Sequence, residues 1–102
     1  MERPHDKIRF DAANPVRVPV ARQGNLQLVL FCLEAGQEIP RHTAAATVVM
    51  QAFTGEGVLV SGDESVEAKA GDLVLVPPQV PHAMKAPRGR FTVLATIVAA
   101  AD

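Results

Sequence analysis

Apolar positions along the chain fall in short runs, interrupted at close intervals by glycine, proline and Asp or Asn. Val16-Arg17-Val18-Pro19-Val20 alternates, but Pro19 has no N–H to give a ladder, which predicts an edge strand or a strand end. Gln23-Gly24-Asn25 turns the chain into Leu26–Leu33, which is apolar at both parities after Gln27 and so predicts a strand covered on both faces. Ala46–Phe53 is rich in β-formers and is expected to end at Thr54-Gly55-Glu56-Gly57. Val58-Leu59-Val60-Ser61 then meets Gly62-Asp63, a connection suited to a tight hairpin, and Ser65, Glu67 and Lys69 alternate with Val66 and Ala68 on its far side. Leu73–Val76, stopped by Pro77-Pro78, and then His82–Lys85 and Phe91–Val98 complete the set. The one helical competitor, Thr43-Ala44-Ala45-Ala46, is barely a turn long. Many short strands at this spacing predict an all-β sandwich or barrel.

Length fits one domain: 102 residues leave no room for a second core. The charged, irregular residues 1–15 are expected to form an N-terminal arm, with a single domain over 16–102. With 48% hydrophobic and 21% charged residues the chain is not disordered. A net charge of −1, with basic residues scattered except at Arg88-Gly89-Arg90, argues against nucleic acid as a partner. The longest apolar run, Phe91–Ala101, falls short of the ~18 residues of a membrane helix, so no membrane partner is expected. Met1–Asp6 lacks the apolar core of a signal peptide and the lone Cys32 forms no internal bridge, which together point to the cytoplasm. Cys32, in a run apolar on both sides, reads as an inert buried thiol.

Two stretches resemble the paired motifs of the cupin superfamily, small β-barrels often built around one metal ion. In the first, Gly36 is followed after five residues by His42, and Gly55 stands where the shorter form of that motif closes. In the second, Gly71, Pro77 and His82 fall on the motif spacing within Ala70-Gly71-Asp72-Leu73-Val74-Leu75-Val76-Pro77-Pro78-Gln79-Val80-Pro81-His82. Together the motifs span residues 36–86. The resemblance implies a cupin-type barrel, a jelly-roll-like double-stranded β-helix.

In the family, three histidines and a glutamate ligate the metal. In this chain the second histidine position is Ala44, the glutamate position is Val48, the second motif's internal glycine is Gln79 and its asparagine is Ala86. The resemblance therefore carries over only His42 and His82 as metal ligands, and the implied cofactor is a weakly held divalent transition metal. A catalytic metal commonly has three protein ligands and an open position, which two imidazoles do not supply. The other imidazole, His5, lies in the arm, far from both motifs. Strand parity puts Val48, Met50 and Ala52 on one face and Met84 beside His82. With Val48 pointing inward, as the resemblance implies, the expected cavity is lined by His42, Ala44, Val48, Met50, Ala52, His82 and Met84. Val48, Met50 and Met84 form its ligand pocket. Taken singly, each histidine reads as structural and each methionine as core filler.

No nucleophile, base and orienting group assemble from the sequence, so no catalytic residue is assigned. Three functions are consistent with the chain: a cupin binding a small molecule with a degenerate metal centre, a metal-dependent oxygenase or isomerase, and a non-catalytic dimeric accessory protein. Leu26–Leu33 and Phe91–Ala101 are apolar on both faces, so a homodimer is expected to cover what one barrel leaves exposed, with the arm available to the partner.

Overall fold

The computed structural model describes residues 1–100, so the last two positions of the expected domain, Ala101 and Asp102, lie outside the described residues. A short 3-10 helix, Pro4–Lys7, precedes eight strands: β1 Val16–Gln23, β2 Leu26–Leu33, β3 Glu38–His42, β4 Ala46–Ser61, β5 Glu64–Lys69, β6 Leu73–Val76, β7 His82–Lys85 and β8 Phe91–Ala99. They hydrogen-bond in the order β1-β2-β8-β4-β7-β3, with β5 and β6 added to β4, and the pairs are antiparallel. The all-β fold expected from the sequence is the fold observed.

Strand β4 departs from expectation. The glycines of Thr54-Gly55-Glu56-Gly57 do not turn the chain; β4 runs on through them for 16 residues. Its first half pairs with β8 and β6 and its second half with β5 and β7, so one strand serves both sheets. The crossing needs a sharp bend, supplied by a register shift between Ala52 and Thr54 and by Gly55 at φ +75°. Gly57 has a different reason. A Cβ there would overlap the ring of the fully buried Phe91 and stand 2.5 Å from the Lys85 carbonyl. The glycines mark a bend and a close approach.

Strand β3 is a further departure, because Glu-Ile-Pro-Arg-His neither alternates nor lacks proline. It pairs only with β7, with a register shift between Ile39 and His42, an edge position that tolerates Pro40. Pro19 sits in another edge strand, β1, where the register also shifts. The Gly62-Asp63 hairpin is as expected, with Gly62 at φ +60° and Ser61 opposite Glu64.

Between the sheets lies the main core, in which Phe91, Leu33, Met50, Leu59, Met84, Val76 and Val93 are fully buried. A second cluster, Val20, Leu30 and Cys32, forms on the outer side of β1 and β2, where Ile8 and Phe10 of the arm pack over it. The arm thus lies on the chain's own barrel and covers part of the outward apolar surface of β2. Arg90 holds it in place: its guanidinium stacks 4.4 Å from the Phe10 ring and its Nε donates to Glu34 Oε1 at 3.0 Å. The hydrogen bond from Arg90 holds the Glu34 carboxyl below the usual carboxylate range. Gln37 adds a second tie, its Nε2 donating to the Asp11 carbonyl at 2.7 Å. Burial beneath this cover pushes the Cys32 thiol up, which suits an unreactive packing residue.

Candidate functional site

The edge strand β3 ends at His42 and β7 begins at His82, and the two residues are cross-strand partners. Their rings stand 4.2 Å apart, centre to centre, tilted by 57°. Each ring is oriented the same way: Nδ1 of His42 lies 3.0 Å from the Pro40 carbonyl, and Nδ1 of His82 lies 3.0 Å from the Val80 carbonyl. A carbonyl can only accept, so Nδ1 carries the hydrogen and each neutral ring keeps a lone pair on Nε2. His82 is buried and His42 is exposed, so the pair spans the boundary between interior and solvent.

Both rings line a cavity of about 80 Å³ between the sheets. Its walls are Val48 and Met50 from β4, Met84 from β7, Ala95 and Ile97 from β8, and Phe31 from β2, with Ala44 at the loop leading into β4. The expected residues His42, Ala44, Val48, Met50, His82 and Met84 are brought together. Ala52 is not among them; it pairs with Val93 at the bend of β4 and packs into the main core. Phe31, Ala95 and Ile97 escaped the sequence because their strands are apolar at both parities. The register supplies the missing signal, since Val48 pairs with Ile97 and Met50 with Ala95. His5 does not approach the cavity; it stacks on Phe53 at 4.4 Å, within the arm's contacts on the outer face.

Ala44 and Val48, at the two ligand positions that have lost their donors, face the same cavity as the two histidines. Among the described residues, no three His, Cys, Asp or Glu side chains gather as a metal site. A divalent ion held by three histidines and a glutamate does not fit this donor set. A wider surface groove is lined by Glu56, Glu67, Lys69, Asp72 and Arg88, but there Glu67 is paired with Arg88 and Asp72 accepts from the Lys69 backbone N–H.

Residues 29–97 match a family model described as a cupin domain. Among solved structures, an RmlC-like cupin from Desulfovibrio desulfuricans is 32% identical with a TM-score of 0.79, covering 89% of this chain and 88% of that one. A protein from Thermus thermophilus superposes with a TM-score of 0.92 at 20% identity, over 97% of this chain and 96% of that one. A cupin superfamily protein from Desulfitobacterium hafniense reaches 0.82 at 21% identity, over 93% of this chain and 86% of that one. At those lower identities the likeness shows the fold alone. No curated protein matches the chain.

Proposed function

The chain belongs to the cupin family, and from that premise we propose that it binds a small, largely apolar molecule inside the barrel, with His42 and His82 holding the polar end. The observation that carries this is a pair of imidazoles, each with Nδ1 turned to a backbone carbonyl, in the lining of an otherwise apolar cavity of about 80 Å³. A few convergent polar groups over an apolar floor are what a small-ligand site needs. An engineered apolar cavity of ~150 Å³ holds benzene, so a space half that size takes a ligand of only a few non-hydrogen atoms unless side chains move. Two acceptors call for a donor on the ligand, such as an alcohol, an amide, an ammonium group or an undissociated acid. Val48, Met50 and Met84 would pack its apolar part.

A panel of short-chain alcohols, amides and acids, added to metal-free protein, tests the proposal by thermal shift. Members that fit should stabilise increasingly with the logarithm of their concentration, by ~2.7 kcal/mol at a hundred times Kd. Val48→Phe, which fills the cavity, should remove the shift. A panel that moves wild type no more than Val48→Phe would discard the proposal.

We further propose that a second copy covers the outer face of the β1-β2-β8-β4-β6 sheet beyond the arm. There Leu73, Leu75 and Val98 are 56%, 60% and 39% exposed. Leu75 is opposite Val49 and Val98 opposite Thr47, which places them on one outward surface. Leu75→Glu should convert the dimer to monomer in equilibrium sedimentation while leaving the fold intact. A wild-type protein that is monomeric at high concentration would rule the second copy out.

No helix among the described residues is long and apolar enough to cross a membrane.

A further inference from the structure

We propose that Arg17 and Arg22 bracket a groove that binds a linear dicarboxylate, at the β1 edge of the barrel and apart from the two histidines. The register sets the face on which the two arginines stand. Arg17 is opposite Phe31, Pro19 opposite Val29 and Arg22 opposite Gln27; on the next strand Val29 is opposite Ala95 and Gln27 opposite Ile97. Directly opposed residues share a face of the sheet, and Phe31, Ala95 and Ile97 line the barrel cavity. Arg17, Pro19 and Arg22 are therefore on the inward face, in the strand where the sheet ends. Their neighbours Val16, Val18 and Ala21, on the opposite face, pack instead into the outer cluster beneath the arm. Together with Gln27 and Val29, the three inward residues line a groove of about 360 Å³.

The charge of the groove is all of one sign. Strands β1, β2 and β8 carry these two arginines and no Asp or Glu. Among the described residues the ion pairs are Lys7 with Glu2, Arg88 with Glu67 and Arg90 with Glu34, so neither guanidinium of the groove is paired with a carboxylate. A cleft lined by one sign of charge concentrates ligands of the other, and a guanidinium presents its donors in a fork that matches a carboxylate. Spacing decides between one anionic group and two. The partners of the two arginines, Phe31 and Gln27, are four residues apart on β2, roughly 13 Å at ~3.3 Å per residue. The Arg17 guanidinium lies 5.9 Å from the centre of the Phe31 ring, so it stays at its own end of the groove. Between the ends lie Pro19 and Val29, which offer hydrocarbon. A single phosphate does not reach both guanidiniums, whereas a methylene chain with a carboxylate at each end does. A peptide strand is the usual occupant of a sheet edge, but Pro19 has no N–H and the register shifts beside it, and both features spoil a ladder.

Isothermal titration calorimetry at low salt, with succinate, adipate, suberate and sebacate, tests the site. Affinity should peak within the series. The best member should bind at least ~10-fold more tightly than inorganic phosphate or the monocarboxylate of equal carbon number. Arg17→Gln and Arg22→Gln should each remove that advantage, and Arg17→Lys, which keeps the charge but not the fork, should fall between. Both arginines are exposed, so the variants should fold, which a melting curve checks. Raising the salt should weaken binding, because exposed charges are screened over ~10 Å at 0.1 M. Folded Val48→Phe, which fills the separate cavity, should bind the dicarboxylate as wild type does, so the groove stands or falls independently of the function proposed for that cavity. No binding by any member, an affinity indifferent to both arginine substitutions, phosphate held as tightly as the best dicarboxylate, or binding lost in folded Val48→Phe would overturn the proposal.

Discussion

Gly57→Ala is expected to destabilise the protein by about 3 kcal/mol, at the top of the usual range for overpacking. The added methyl meets the Phe91 ring and the Lys85 carbonyl oxygen, and neither can step aside. Phe91 has no exposed surface and lies in the main core, and Lys85 is held in β7 opposite Val58 of β4. A domain of this size commonly has a total stability of ~5–15 kcal/mol, so urea unfolding should show a large fall in midpoint with little change in slope. Gly89→Ala is the control, since a Cβ there meets nothing within 4 Å, and it should stay within ~0.5 kcal/mol of wild type. Removing the ring first should relieve part of the clash, so the Gly57→Ala penalty should be smaller in a Phe91→Ala background. If Gly57→Ala behaves like Gly89→Ala, β4 does not pass as close to Phe91 as described.

The second large effect is a gain. Val48→Glu places a carboxylate in the cavity beside His42 and His82 and completes a two-histidine, one-carboxylate set of the kind that holds divalent transition metals. Without metal, the variant should melt well below wild type, because Val48 is only 5% exposed and a charge there lacks a partner. With zinc(II) or manganese(II), the lost stability should return, by ~4 kcal/mol at a thousand times Kd. Adding Ala44→His should strengthen the response further. Wild type should show little of this rescue. A Val48→Glu protein whose melting ignores divalent metal would mean that position 48 does not converge with the two rings.

Much of the fold was legible because its strands announce themselves in two ways. Alternation marks Glu64–Lys69 and continuous apolar runs mark β2 and β8. The two failures share a cause, in that local chemistry was outvoted by tertiary context. Pro40 and three charged or imidazole side chains hide β3, which exists because an edge strand needs only one partner, β7. The two glycines in β4 suggest a turn, whereas the barrel uses one for a bend and the other for the passage of Phe91. The candidate site was legible where motif spacing fixed the inward face, at His42, Val48, His82 and Met84. It was illegible on β8, where Ala95 and Ile97 are inward and Leu94 and Val98 outward, yet all four are apolar. Parity carries no information when both faces are greasy; only the register against Val48 and Met50 does.

Strands apolar on both faces do acquire a second layer, and for β1 and β2 part of it comes from Ile8 and Phe10 of the same chain. What stays bare lies further along the sheet, at β6 and the end of β8.

Imidazole NMR puts the pairing of the two rings to trial without any ligand or metal. Nitrogen-detected long-range spectra of the uniformly labelled protein at neutral pH should show His42 and His82 in the same tautomer, protonated on Nδ1. Nuclear Overhauser contacts between their ring protons should accompany it, as a 4.2 Å centre-to-centre separation requires. Two rings protonated on Nε2, or rings with no mutual contact, would contradict the convergence on which every functional proposal for this cavity depends.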